Sequence, residues 1–145
     1  MLRLSDLMAG VPGAALDGLQ MLAVREVRDD SRQVQAGDLF VAIPGAKQDG
    51  GKFIDEAIAK GAAAVVTQEA ARAGSTGWVT VPDARRALGI VAANRYRTGG
   101  TLTLSGVTGT NGKTTTTYLL ESILVAAGRK PGVVGTVSYR YAGKE

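Results

Sequence analysis

The chain has neither cysteine nor histidine in its 145 residues. Lack of cysteine rules out a disulfide frame and a thiolate metal site, which fits a reducing cytoplasm. Lack of histidine removes the commonest general base and metal ligand. Any catalysis must therefore run on carboxylates, lysines, hydroxyls and backbone dipoles. Aromatic residues are scarce, with two Phe, four Tyr and one Trp. With no clustered basic stripe and no interleaved aromatics, the chain does not read as a nucleic-acid binder. No apolar run approaches the roughly 20 residues of a membrane helix. The start lacks the basic segment and long apolar stretch of a secretory signal, so no membrane insertion is expected.

What is present is a globular composition, 45% apolar, long enough for one domain or for one and part of another. The net charge of +4 is unevenly placed: residues 1–98 carry 12 Lys and Arg against 11 Asp and Glu, and residues 99–145 carry 5 against 2. The surplus surrounds the stretch Ser105-Gly-Val-Thr-Gly-Thr-Asn-Gly-Lys-Thr-Thr-Thr-Thr117, as an anionic nucleotide would favour. Thr101 to Ser105 alternates and is β-branched, predicting a strand. Tyr118, Leu119, Leu120, Ile123 and Leu124 recur at helical spacing to Ala127, with Gly128 as a stop.

A glycine-rich turn between strand and helix aims backbone N–H groups and the positive helix end at one point. Gly109 and Gly112 let the backbone approach an anion closely. Lys113 supplies a cation for the outer phosphates, and the Thr114 hydroxyl a ligand for Mg²⁺. The match to G-x-x-x-x-G-K-S/T is imperfect, because Val107 occupies the place of the first glycine and the glycines fall at 106 and 109. A plain glycine-rich turn before a threonine-rich helix start is the alternative. Four successive threonines have poor helix propensity and make better sense as caps and ligands.

Before the loop, residues 2–8 predict a short helix and Val24 to Asp29 a strand ending at Asp30-Ser31-Arg32. Leu39 to Ile43 reads as a buried strand bounded by Pro44-Gly45, and residues 47–51 as a turn. Phe53, Ile54, Ala57 and Ile58 give a helical face ending at Gly61. Strands follow at Ala62 to Thr67 and Trp78 to Val81. Asp83 then caps a helix to about Arg97, with Leu88, Val91 and Ala92 as its stripe. Strands alternating with helices argue an α/β fold with parallel strands. Thr98-Gly99-Gly100 is the best linker, giving domains at 1–98 and 99–145. The second holds a strand, the loop, one helix and a strand at Val133 to Tyr139, a single βαβ unit too small to bury both sheet faces.

Thr108-Gly-Thr-Asn-Gly-Lys-Thr-Thr-Thr-Thr117 resembles the ATP-binding loop of the Mur ligases, which build the peptide of bacterial cell-wall precursors. Asp30-Ser31-Arg32, Gly37-Asp-Leu-Phe-Val-Ala-Ile-Pro-Gly45, Asp49-Gly50, Phe53 and Gly61-Ala-Ala-Ala-Val-Val66 are similar to an N-terminal domain shared by two branches. MurE adds the third amino acid and MurF the terminal dipeptide. Thr-Asn between the loop glycines looks like MurE. Folylpolyglutamate synthetase shares a related loop, usually with Gly-Lys-Gly, and lacks this N-terminal domain.

The resemblance implies an N-terminal domain that grips the UDP part of UDP-MurNAc-L-Ala-D-Glu, followed by the start of a P-loop, Rossmann-like ATPase domain. It implies ATP and Mg²⁺, with Gly109, Thr110, Asn111, Gly112, Lys113, Thr114 and Thr115 at the nucleotide. Lys113 and Thr114 carry the chemistry, and Thr114 meets the metal. On the substrate side it implies Ser31 at the uridine end with Asp29 and Asp30 beside it. Ala46, Lys47 and Gln48 fall where many members have His-Gln-Ala. A local salt bridge in a strand-ending turn is the other account of Asp30 and Arg32, and a tight turn of Asp49-Gly50. Nucleotide-hydrolysing P-loop domains hold Mg²⁺ with a second carboxylate on a later strand. After Thr117 only Glu121 and Glu145 remain, neither suitably placed. The chain is thus expected to be the front of a longer ligase that does not turn over ATP alone.

Overall fold

A computed structural model of the chain describes residues 1–45, 50–71, 77–96 and 102–141. It divides into two units, Met1–Leu102 and Thr103–Glu145. The predicted linker at 98–100 lies outside the described residues.

The first unit is built on β3 (Val27–Arg28), β4 (Leu39–Val41), β5 (Ala64–Thr67) and β6 (Trp78–Thr80), hydrogen-bonded in that order and all parallel. Side chains alternate across a strand, so one sheet must feed two cores. Leu39, Val41, Ala64, Val66, Val79 and Val81 face one side, where they meet Leu4 and Leu7 of α1 (Leu4–Leu7) and Ala84, Ala87 and Val91 of α3 (Ala84–Tyr96). Phe40, Ala42, Val65 and Trp78 face the other and pack on Ile54 and Ala57 of α2 (Ile54–Ala59). A parallel sheet with helices on both faces reads as apolar runs rather than alternation, which is why these strands were legible. The α/β expectation with parallel strands holds.

Local chemistry sets the boundaries. The Asp83 carboxylate accepts the Arg86 N–H and the Gln68 side-chain oxygen accepts the Ala84 N–H, so α3 starts at the predicted cap. At Gly77, φ is +71°, and a Cβ would stand 2.1 Å from the Ala63 carbonyl oxygen. Only glycine can begin β6 there.

Two expectations for this unit change. Residues 2–8 are not one helix: β1 (Leu2–Arg3) pairs antiparallel with β2 (Ala23–Val24), leaving a single helical turn at α1. The strand expected over 24–29 is split, because Val24 pairs with Leu2 whereas Val27 pairs with Leu39 in a different sheet. Between these partners, Glu26 accepts the Val27 N–H and a two-pronged bond from Arg95 of α3. These contacts, the backbone bond foremost and Arg95 next, hold the Glu26 carboxyl below its ordinary range. A depressed folded pKa gives stability that is present above the unfolded value and lost as pH falls through the folded one. Denaturant titrations from neutral pH to about pH 3 should show a shallower acid limb for Glu26→Gln than for the parent.

The second unit comprises α4 (Lys113–Ala126), β7 (Gly132–Val134) and β8 (Tyr139–Tyr141). The Gly128 N–H bonds to the Val125 carbonyl and the Arg129 N–H to the Leu124 carbonyl, closing α4 at the predicted stop. The strand expected at 133–139 is instead an antiparallel hairpin. Gly135 and Ser138 close its turn with a 3.2 Å bond, and Val134 faces Tyr139. The βαβ expectation therefore fails for the described residues. Residues 102–105 form no strand, because a strand needs a paired neighbour and no ladder partner stands beside them among the described residues. No residue of α4 is buried; Leu119 and Ile123 are each about three-fifths exposed.

Candidate functional site

In the second unit, the turn into α4 is made by Gly112, whose φ of +77° and ψ of −7° are left-handed. Nothing lies within 4 Å of the point where a Cβ would project. Its carbonyl accepts the Thr116 N–H, the first bond of the helix. The N–H groups of Lys113, Thr114 and Thr115 precede any partner that the helix can supply and sit on an exposed surface. Lys113 folds back over the loop, its Nζ donating to the Gly109 carbonyl at 2.6 Å and the Thr110 carbonyl at 3.4 Å. The ammonium is thereby held above the turn by weak neutral acceptors that a phosphate oxygen would displace. Thr117 spends its hydroxyl on the Thr114 carbonyl. The Thr114 hydroxyl makes no hydrogen bond among the described residues.

Lys113, Thr114 and Thr117 line one side of a cavity of about 130 Å³, and the hairpin turn with Thr136, Ser138 and Arg140 lines the other. Arg140 was missed by sequence reasoning. Its guanidinium stacks 3.9 Å from the Tyr118 ring centre and donates to Glu121 at 2.9 and 3.0 Å and to Ser138 at 2.7 Å. This ties β8 to α4 and occupies Glu121. An open glycine turn, three first-turn amides, a cation and an uncommitted hydroxyl fit a nucleotide phosphate with its Mg²⁺. Among the described residues no cluster of three or more acidic, His or Cys side chains could hold a metal alone.

In the first unit, the candidate residues follow β3 at the carboxyl edge of the parallel sheet, where open α/β sheets bind ligands. Asp29 is exposed. Asp30 accepts the Arg32 N–H and grips the Arg32 guanidinium at 2.8 and 2.9 Å, so the strand-ending turn with a local salt bridge is present. Those bonds from Arg32 drive the Asp30 carboxyl far below its ordinary range. Ser31 is only 6% exposed. Its hydroxyl donates to Glu56 at 3.0 Å, and its carbonyl accepts from Lys60 at 2.9 Å. Both partners lie on or just beyond α2 and escaped the sequence reading; their i,i+4 spacing was the available signal. Ala46, Lys47, Gln48 and Asp49 lie outside the described residues. The Gly50 N–H bonds to the Ile43 carbonyl, bringing the two flanks together beyond β4.

Residues 23–96 match the Mur ligase family, catalytic domain, and residues 107–144 the Mur ligase middle domain. The chain belongs to the Mur ligase family. Among Mur ligases it is 48% identical over 117 residues to the UDP-N-acetylmuramoyl-L-alanyl-D-glutamate–2,6-diaminopimelate ligase of Lawsonia intracellularis, covering 79% of this chain and 24% of that protein. The Geobacter sulfurreducens ligase of the same name is 44% identical over 146 residues, covering 99% of this chain and 28% of that protein. The Thermotoga maritima MurF ligase, solved in complex with ADP, superposes with a TM-score of 0.56 at 34% identity, covering 72% of this chain and 24% of that one. The chain thus spans about a quarter of the length of the Mur ligases it matches.

Proposed function

We propose that this chain provides the UDP-recognising and ATP-binding front of a MurE-type ligase, which adds the third amino acid to UDP-MurNAc-L-Ala-D-Glu in the bacterial cytoplasm. The relatives' names favour 2,6-diaminopimelate over lysine as that amino acid. The observation that carries the reading is the turn at Gly112, which opens α4 toward an anion with Lys113 poised above it. A carboxylate is a poor electrophile. ATP would transfer its γ-phosphoryl group to the carboxylate, breaking the β–γ anhydride bond and releasing ADP, and the incoming amine would then displace phosphate from the acyl phosphate. A Mg²⁺ ion held at Thr114 would supply charge neutralisation at the phosphates. Lys113 would hold the β- and γ-phosphates and stabilise charge developing on the transferred group. Thr114 would ligate the metal, and residues 109–115 would fix the nucleotide through their amides. In the first unit Asp29, Ser31 and residues 46–48 would hold the uridine diphosphate.

The likeness to the Thermotoga MurF ligase favours a second reading, in which the substrate already carries three peptide residues. Calorimetric titration of the chain separates them. Tighter binding of UDP-MurNAc-dipeptide than of UDP-MurNAc-tripeptide supports the MurE reading, and the reverse order supports MurF. Failure of the folded chain to bind either compound contradicts both.

A further inference from the structure

Ser31 offers a ligand less freedom than a surface serine does. A lone hydroxyl can donate or accept by rotating, so it does not discriminate between the two. Here Glu56 accepts the Ser31 hydroxyl at 3.0 Å through one oxygen and the Lys60 ammonium at 2.7 Å through the other. Lys60 first, then Ser31, keep the Glu56 carboxyl below its ordinary range, so it is ionised and can only accept. The proton between Ser31 and Glu56 therefore belongs to the serine and points at Glu56. Lys60 also takes the Ser31 carbonyl, and Asp30 caps the turn through the Arg32 N–H, so residue 31 is held from both sides. Among the described residues no donor is directed at the lone pairs of the Ser31 hydroxyl.

We propose that Glu56 is a positioning residue that fixes Ser31 as a hydrogen-bond acceptor, and that the pair thereby selects a uracil base over a cytosine base. The role rests on the assignment of Ser31 to the uridine end of the substrate. Uracil carries a hydrogen on N3 and can donate it to the committed hydroxyl. Cytosine N3 is a bare acceptor and would meet the serine lone pairs head-on. A site whose buried polar group is left unpaired rejects the mismatched ligand more strongly than lost packing would.

Titration of the chain with UDP and with CDP tests this. The parent should prefer UDP by about tenfold or more. Glu56→Ala frees the hydroxyl to rotate, and the preference should fall to within about threefold. Glu56→Gln must keep its single oxygen on Lys60 and turn its NH₂ toward the Ser31 hydroxyl, which is then free to donate, so this variant should lose the preference too. Ser31→Ala should lose the same discrimination, and the double variant should be no worse than Ser31→Ala alone, as two members of one interaction require. A merely structural Glu56 would weaken both nucleotides equally and add to the Ser31 loss. Retention of the full UDP preference by Glu56→Ala, with Ser31→Ala losing it, would overturn the role of Glu56 and leave the uridine site standing. Parent-like binding of both nucleotides by Ser31→Ala would overturn the site, and the role of Glu56 with it.

Discussion

Lys113→Met is expected to weaken MgATP binding by about 100-fold and to leave UDP binding unchanged. The ammonium lies on two loop carbonyls at 2.6 and 3.4 Å. These neutral contacts are readily exchanged for charge-assisted bonds to phosphate, each worth about 1.5–3 kcal/mol. Methionine keeps the length of the stem and its helix propensity, so the turn at Gly112 survives and the loss reports charge. Calorimetry with each nucleotide measures both arms. Equal loss of ATP and UDP affinity would show that the two sites are not separate, and no loss of ATP affinity would show that the loop is not the phosphate site.

The second large effect is expected in stability. Asp38 is completely buried at the start of β4. Its carboxylate receives a two-pronged bond from Arg25, with both contacts at 3.0 Å, and the Gln35 N–H at 3.0 Å, while Arg28 Nε stands 3.6 Å away. That Arg28 nitrogen is buried with no hydrogen-bond partner among the described residues, so it depends on the Asp38 charge. Removing one partner of a buried ion pair costs about 3–5 kcal/mol when the remaining charge stays buried. Arg25 and Arg28 are about a third exposed and can partly turn to water, which places Asp38→Ala near 3 kcal/mol. Asp38→Asn, which still accepts the Gln35 N–H, should cost less. Urea unfolding gives the comparison; a loss below about 1 kcal/mol for the alanine variant would mean that the pair is worth no more than a surface bridge. Because Asp38 joins the segment after β2 to the start of β4, the same loss should loosen the Ser31 turn between them.

Much of this architecture was legible because burial writes itself into sequence. Leu39 to Val41 and Ala64 to Val66 are apolar without interruption because both faces of a parallel sheet are covered. Asp83 announces α3 because a capping carboxylate must precede its helix by one residue. What could not be read was pairing. Nothing local tells Val24 to join Leu2 and Val27 to join Leu39, so one strand was expected where there are two. The run Val133-Val134-Gly135-Thr136-Val137 is β-branched throughout except at Gly135, and the turn closed there was hidden in strand-like residues.

The candidate sites divide in the same way. The phosphate loop was visible because glycines, a lysine and a threonine must be contiguous to cradle an anion. Ser31 was visible only as part of a motif. Its partners Glu56 and Lys60 lie 25 and 29 residues further along, and only the packing of α2 on the sheet brings them to it. Arg140 was missed for the same reason, since its partner Glu121 is 19 residues away on α4.

Amide chemical-shift mapping of the isotopically labelled chain probes the two-site account residue by residue. MgATP should move the signals of residues 109–115 and leave those of residues 29–33 in place, while UDP should do the reverse. Shifts induced by MgATP at Ser31 and its neighbours, with Gly112 and Lys113 unmoved, would contradict it.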